Sequence, residues 1–470
     1  MIPISLAQLA AVTGGTLNGD PDLVVSGEVV IDSRKVSPGG LFVAAAGEHV
    51  DGHDFAAAAV AAGAAAVLAT RPVPVPSVLV ADIQAALAAL ARNLVDELPG
   101  VTIAGITGSS GKTSTKDLAA QLTERLGPTI APAGSFNNEL GHPLTVLRAG
   151  AQTRYLVLEL SARGPGHIAY LCGIAPPRYG LVLNVGHAHA GEFGGLDQVA
   201  QAKGELPEAL PPDGVAILNA DDPRVAAMSA RTQARVVMFS AAGDPGAQVR
   251  AAGVHLDGLG RPGFTLVTPG GSAPVAMRLH GAHMVPNALA AAALAHELGL
   301  GLDGIADGLS AAEARSRWRM EVRQRPDGVT IINDAYNANP ESVRAALDAL
   351  AHLSQAGRAF AVLGHMAELG EFAQASHEEI GEYAAHLDGS ALAGLIAVGA
   401  DATPLLTGAR RVGSWLGEAI AVADGPAAVD VLSNQLKPGD VVLVKASRAA
   451  HLEGVAAALL AAGGVGEAER

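Results

Sequence analysis

Cysteine, aromatic side chains and positive charge are all scarce in this chain. Cys172 is the only cysteine in 470 residues, which excludes an intramolecular disulfide and a cysteine-rich metal site, and fits a reducing cytoplasm. Phe, Trp and Tyr together make 3% of the chain, so the cores must be aliphatic. Thirty-one Lys and Arg stand against 46 Asp and Glu, a formal charge of −15. That balance argues against duplex nucleic acid or an anionic membrane surface as a partner, but not against small anions met by local groups. Long apolar runs are missing too. The longest uncharged one, Phe55 to Ala69, is mostly Ala and falls short of the roughly 20 residues of a spanning helix. It is expected to be a buried helix, with no membrane insertion. No Lys or Arg precedes Arg34, so the N-terminus lacks the charged region of a signal peptide.

Glycine is plentiful, with 57 residues beside 27 Pro, and spread along the chain as turns between regular elements. Short apolar, often β-branched runs recur at 101–107, 155–160, 179–184, 215–219, 330–333, 360–363, 394–398 and 441–444. Each is followed by a Gly/Asn/Asp turn and an Ala/Leu-rich stretch, the alternation that builds parallel sheets covered on both faces. The fold class is α/β, in three sections. Residues 1–82 form a small α/β domain. Residues 83–313 form a central domain with a mostly parallel sheet, whose Gly/Pro-rich stretch 236–279 is read as edge strands and loops. Residues 314–470 form a Rossmann-like α/β domain. Two runs resemble each other, Asp213 to Asp221 and Asp327 to Asp334. Both place an Asn and an Asp at a strand's C-terminal end, where open α/β sheets bind ligands.

Residues 101–115, VTIAGITGSSGKTST, read as a strand, a Gly-rich turn and a helix start. Gly108 and Gly111 allow the tight turn in which the N–H groups of Ser109, Ser110 and their neighbours, Ser114 included, face an anion. The helix N-terminus adds its positive end. Lys112 is placed to reach the β- and γ-phosphates, and the Thr113 hydroxyl to ligate Mg²⁺. The full P-loop pattern has a further Gly where Ile106 stands; the core Gly-x-x-Gly-Lys-Thr is intact. Glu159, at the end of the run 155–160, would sit beside this loop and hold the magnesium, or else be a solvated strand-end carboxylate. His187 and His189 share one face if extended. Zinc is one reading of the pair, but no further ligand pair follows at helical spacing.

In this order the pieces resemble the Mur ligase family of ATP-dependent amino acid ligases, over essentially the whole chain. Residues 32–42 and 47–54 resemble its UDP-sugar-binding section, which implies Ser33 and Arg34 as substrate contacts. Residues 135–143 resemble its substrate loop, implying Asn137 and Asn138. Residues 333–340, NDAYNANP, resemble most closely the branch that adds a D-alanyl-D-alanine dipeptide, with Asn337 where relatives adding one amino acid more often carry His. Residues 363–370 and 444–448 complete the set, so Asn337, Asn339, Lys445 and Arg448 are implied on the acceptor side. The resemblance further implies Lys112 on the γ-phosphate, Thr113 and Glu159 on one Mg²⁺, and His189 on a second. Lys203 matches a lysine that the family carbamylates into a metal ligand; on composition alone it reads as a surface lysine. Asn287 matches the adenine-side Asn. Arg319 and Asp334 match third-domain residues that reach the nucleotide, although for Asp334 a helix cap is the plainer reading.

The implied reaction is phosphorylation of the tripeptide carboxylate of a UDP-muramoyl substrate by ATP, then attack by D-Ala-D-Ala, in the cytoplasm and by a monomer. Two Mg²⁺ ions and Lys112 would spread the developing charge. No residue stands out as the base for the amine. The chain departs from the family pattern at His365, where Asp is usual, at Ala446, where Gly is usual, and at 190–193. Other readings stay open at this level: a relative adding a single amino acid, a folylpolyglutamate synthetase, or a nucleotide-binding module without ligase activity.

Overall fold

The structure, a computed structural model, describes residues 1–47, 50–186, 195–387 and 392–462. Among the described residues three larger sheets follow one another along the chain, each flanked by helices, with a two-stranded antiparallel pair, Ile4–Ser5 and Val24–Val25, beside the first. In the central one the strand Thr102–Thr107 lies parallel between Tyr155–Glu159 and Tyr179–Val182. Its residues after Thr102 are all buried, as expected of a parallel strand covered on both faces. Register sets Ile106 opposite Glu159 and Thr107 opposite Val182, so three strand ends converge at one edge. Val215–Asn219, Arg235–Ser240 and Val249–Leu256 extend the sheet in parallel. The antiparallel strands Pro262–Thr268 and Gly271–Ala276 then close its far edge. These are the edge strands expected in 236–279.

The C-terminal sheet runs Glu321–Gln324, Thr330–Asp334, Val441–Lys445, Ala359–Leu363, Leu392–Val398, Glu418–Val422. Only the first of these is antiparallel to its neighbour. The N-terminal sheet has five short strands between Thr16 and Leu79. Helix Ile83–Asp96, capped by the Asp82 carboxylate, which accepts a hydrogen bond from Ala85 N at 2.8 Å, links this section to the next. Its Leu87, Leu90 and Leu94 share one apolar core with Leu6 and Val78 and with Leu171.

The run Phe55–Ala69 is not one buried helix. It divides into the helix Ala56–Ala61 and the buried strand Ala66–Ala69. Gly63 between them has φ +116, a left-handed backbone that ends a helix and that other residues adopt only with strain. Over so short a run, apolarity does not distinguish a buried helix from a buried strand. Among the described residues no helix is long and apolar enough to cross a membrane.

Candidate active site

The turn after Thr107 is built for close approach. Gly111 has φ +79 and opens the helix Lys112–Thr123 without a side-chain cap, leaving its first N–H groups for a ligand. A Cβ on Gly111 would lie 2.4 Å from Asn287 Oδ1. Asn184 fixes the turn from the neighbouring strand end: its Oδ1 accepts from Ser110 N at 2.9 Å and its Nδ2 donates to Ser110 O at 3.2 Å. Ser109 Oγ accepts from Gly186 N at 2.8 Å. Asn287 stands on Met284–Glu297, an Ala-rich helix packed on the P-loop helix, and accepts from Thr115 Oγ1 at 3.2 Å.

Lys112 Nζ donates to Gly108 O at 2.7 Å. Desolvation pushes this ammonium below the usual lysine value, opposed by the Glu159 charge and reinforced by Arg319. Beside it Thr113 Oγ1 donates to Glu159 Oε2 at 3.0 Å and lies 3.0 Å from Ser135 Oγ. Asn137 Nδ2 donates to the other carboxylate oxygen at 2.7 Å. Glu159 is therefore a buried, oriented carboxylate, not a solvated one. Arg319 reaches across from the third section, its Nη2 donating to Thr113 Oγ1 at 3.3 Å and to Ser135 Oγ at 3.4 Å. Its guanidinium lies 4.4 Å from the Tyr336 ring centre, and its buried Nε has no partner among the described residues. An orphaned cationic donor beside hydroxyl and carboxylate oxygens fits a phosphate with a hard cation.

The rest of the far wall comes from the third section. Asn339 caps helix Pro340–Leu353 and its Nδ2 lies 3.4 Å from Ser109 O. Asp334 caps no helix; it ends a strand, pairs with buried Lys445 at 2.5 Å and accepts from Met320 N at 3.1 Å. Lys445 also donates to Asn337 O at 2.9 Å. Two cavities result. One, about 220 Å³, holds Lys112, Thr113, Asn137, Asn138, Glu159 and Asn337 on its walls. The other, about 180 Å³, takes Asn287, Asp334 and Lys445, with His283 and Phe239. Both include Ser110, Gly111, Ser114 and Arg319. Of the two similar strand ends, Asn219 lines the second cavity while Asp221 turns to Ser240 Oγ and Ala241 N instead.

Other expected residues stand apart. Ser33 and Arg34 lie on an N-terminal turn capped by Asp32, with Arg34 exposed and paired to it at 2.9 Å. Arg448 pairs with Glu453 and stacks over Trp318. Lys203, at the end of helix Leu196–Lys203, is buried and pairs with no described carboxylate. Burial first, and the charge of Lys112 second, push it well below the usual lysine value. His187 and His189 lie outside the described residues. Ser135, Asn184, Tyr336, His283 and Glu368 were not anticipated. Ser135, Asn184, Tyr336 and Glu368 all fall inside segments whose pattern was already informative, Glu368 being carried to the cleft on a left-handed backbone turn that no residue pattern reveals.

Comparison with known proteins gives the same picture. Three family models match: "Mur ligase family, catalytic domain" over 27–113, "Mur ligase middle domain" over 106–295, and "Mur ligase, glutamate ligase domain" over 318–448. A UDP-N-acetylmuramoyl-tripeptide–D-alanyl-D-alanine ligase of Mycobacterium tuberculosis is 50% identical over 98% of both chains. The protein of that name from Escherichia coli is 37% identical over 98% of this chain and 99% of its own. A crystal structure of MurF from Acinetobacter baumannii superposes with TM-score 0.86 at 33% identity, covering 98% of this chain and 99% of that one. MurF ligase from Thermotoga maritima in complex with ADP gives 0.79 at 30% identity, covering 93% and 98%. With three models of one family matched in succession and relatives aligned over nearly their whole length, the chain belongs to the Mur ligase family.

Proposed function

We infer that this chain is the ATP-dependent ligase that joins D-alanyl-D-alanine to UDP-N-acetylmuramoyl-tripeptide, in peptidoglycan precursor synthesis. The observation that carries the reading is the P-loop cleft closed from both sides. Arg319 and Asn339 of the third section reach the same turn that Lys112 and Thr113 present. A carboxylate does not form an amide at neutral pH without a better leaving group, so the tripeptide carboxylate first takes the γ-phosphoryl group of ATP. The amine of the dipeptide then displaces phosphate. Lys112, the turn's N–H groups and Arg319 hold the phosphates, and Asn137 fixes the face that Glu159 presents. Bound Mg²⁺ would neutralise phosphate charge; Thr113 and Glu159 are the residues to hold it, with His189 and Lys203 on a second ion. Burial in the cleft keeps water from the activated carboxylate.

Carbamylation of Lys203 is part of this reading. Its depressed basicity supports it, because only the neutral amine adds to CO₂, forming the N–C bond and releasing a proton. Isotope-labelled bicarbonate should produce a carbamate NMR resonance that Lys203→Ala abolishes. We assign 1–82 to the UDP-sugar, with Ser33 and Arg34 as contacts, 83–313 to ATP, with Asn287 on the adenine side, and 314–470 to the acceptor, with Asn337, Lys445 and Arg448 nearby. We place the reaction in the cytoplasm and read the chain as a monomer, which sedimentation velocity checks. The deciding assay is phosphate release with ATP and UDP-muramoyl-tripeptide. Release that requires D-Ala-D-Ala is the expected result; release supported equally by single amino acids, or by L-Glu with folate, defeats the proposal.

A further inference from the structure

We propose that Arg163 anchors a second, unreacted carboxylate of the peptide substrate, and so selects which carboxylate is presented to Lys112 and Glu159. This rests on the ligase reading above, including the assignment of 1–82 to the UDP-sugar, and adds a specificity residue to it. Arg163 lies in the loop that follows the strand Tyr155–Glu159, and it lines the cavity that holds Lys112 and Glu159.

The loop is fixed at both ends. Leu160 N donates to Ile106 O at 2.8 Å and Ser161 N to Asn137 O at 3.0 Å. Asn137 is the residue that also orients Glu159. At the far end the Glu205 carboxylate accepts from Gly166 N at 2.5 Å and from Ala169 N at 3.0 Å, closing the start of helix His167–Ile174. Between these anchors Arg163 is exposed, and its guanidinium makes no hydrogen bond or ion pair among the described residues. The carboxylates on this side of the cleft are engaged already. Glu205 caps the helix, Glu159 meets Thr113 and Asn137, and Glu139 stands 3.3 Å from His167 Nδ1.

Position decides which ligand it meets. Lys112 and the turn's N–H groups stand at the P-loop, and Arg319 reaches Thr113 from the third section. Arg163 belongs to neither set. It comes from the central section, on the wall that includes Asn138, Glu139 and His167. That wall continues toward the N-terminal section. Helix His167–Ile174 packs on Ile83–Asp96, and burial, then the charges of Glu139 and Asp82, push the Tyr170 phenol upward. A peptide tethered to a UDP-sugar in the N-terminal section passes Arg163 on its way to Lys112, whereas ATP at the P-loop and an acceptor at the third section meet other walls. A guanidinium holds a carboxylate by two parallel hydrogen bonds. The reacting carboxylate must leave such a pair to take the phosphoryl group; a second carboxylate can stay in it throughout. Two sources share that chemistry: the α-carboxylate of a glutamyl residue linked through its side chain, and the distal carboxylate of a third residue such as diaminopimelate.

Steady-state kinetics with three peptide substrates test the assignment: UDP-muramoyl-tripeptide ending in meso-diaminopimelate, its counterpart ending in L-lysine, and the first with its glutamyl α-carboxylate amidated. With the first, Arg163→Ala should lower kcat/KM roughly 10- to 100-fold, the worth of a hydrogen-bonded charge, while KM for ATP and for D-Ala-D-Ala stays within about three-fold of wild type. Its melting temperature should match wild type, since no hydrogen bond or ion pair within the protein is lost. Arg163→Lys, which keeps the charge without the fork, should recover part of the loss. Wild type should use one of the other two substrates less well by the same factor, and Arg163→Ala should lose nothing further on it. The lysine peptide in that role identifies the distal carboxylate; the amidated peptide identifies the glutamyl one. An equal loss on all three substrates, a kcat/KM within about three-fold of wild type on each, or a loss confined to ATP or to the acceptor would each overturn the proposal. Wild type without D-Ala-D-Ala-dependent turnover overturns the ligase reading itself; turnover in wild type with an unaffected Arg163→Ala overturns this inference alone.

Discussion

His142 is buried in the helix Gly141–Val146, and burial pushes its pKa from 6.5 to about 4. The unfolded chain binds a proton at this side chain well before the folded one does. Stability is therefore fully present above pH 6.5 and is lost as pH falls toward 4, by up to about 3 kcal/mol. His142→Val should flatten the decline of melting temperature between those limits, as thermal scans at several pH values will show. Gly111 offers a second residue-scale test. Gly111→Ala meets both the positive φ and Asn287 Oδ1. It should cost about 1–3 kcal/mol and raise KM for ATP. Adding Asn287→Ala should recover only part of the stability, because it relieves the contact and not the backbone.

The P-loop helix is tied along its length to residues 313–316, where the central section meets the third. Gln121 exchanges hydrogen bonds with both the N–H and C=O of Glu313, each 3.0 Å. Asp117 Oδ2 accepts from Ser316 N at 3.1 Å, and Arg315 grips Glu124 with both guanidinium nitrogens. Asp117 also pairs at 2.5 Å with Lys116, whose side chain is 1% exposed. Asp117→Ala leaves that ammonium with Pro132 O as its one remaining partner among the described residues and should destabilise the protein by about 3–5 kcal/mol in chemical denaturation. None of these ties was legible in the sequence. The strands from Thr102 to Lys445 were, because burial on both faces demands continuous apolar runs bounded by turns. The P-loop was legible because its chemistry needs glycine at fixed spacing. Gly63 divided Phe55–Ala69 through a backbone angle that apolarity does not encode, and Glu368 reached the cleft by the same kind of turn. Asp117 and Gln121 look like ordinary polar positions on a helix until residues 313–316 are laid against them.

At the scale of the molecule, a charge of −15 coexists with a site for highly anionic ligands because the cationic groups are few and local. Binding should then lack the steep salt dependence of polyanion partners, whose affinity falls roughly 10³–10⁵-fold between 50 and 200 mM salt. KM for ATP should change by less than about ten-fold over that range, as initial rates at varied ionic strength will show.

Arg319 belongs to the walls of both cavities. A ligand that fixes its guanidinium from one cavity changes the wall that the other cavity offers. Thermodynamic reciprocity then requires a ligand of the second cavity to alter the affinity of the first by the same factor. One side chain thus couples the two chambers, and an inhibitor that fixes Arg319 from either chamber is expected to shift the affinity of the other by the same factor in both directions.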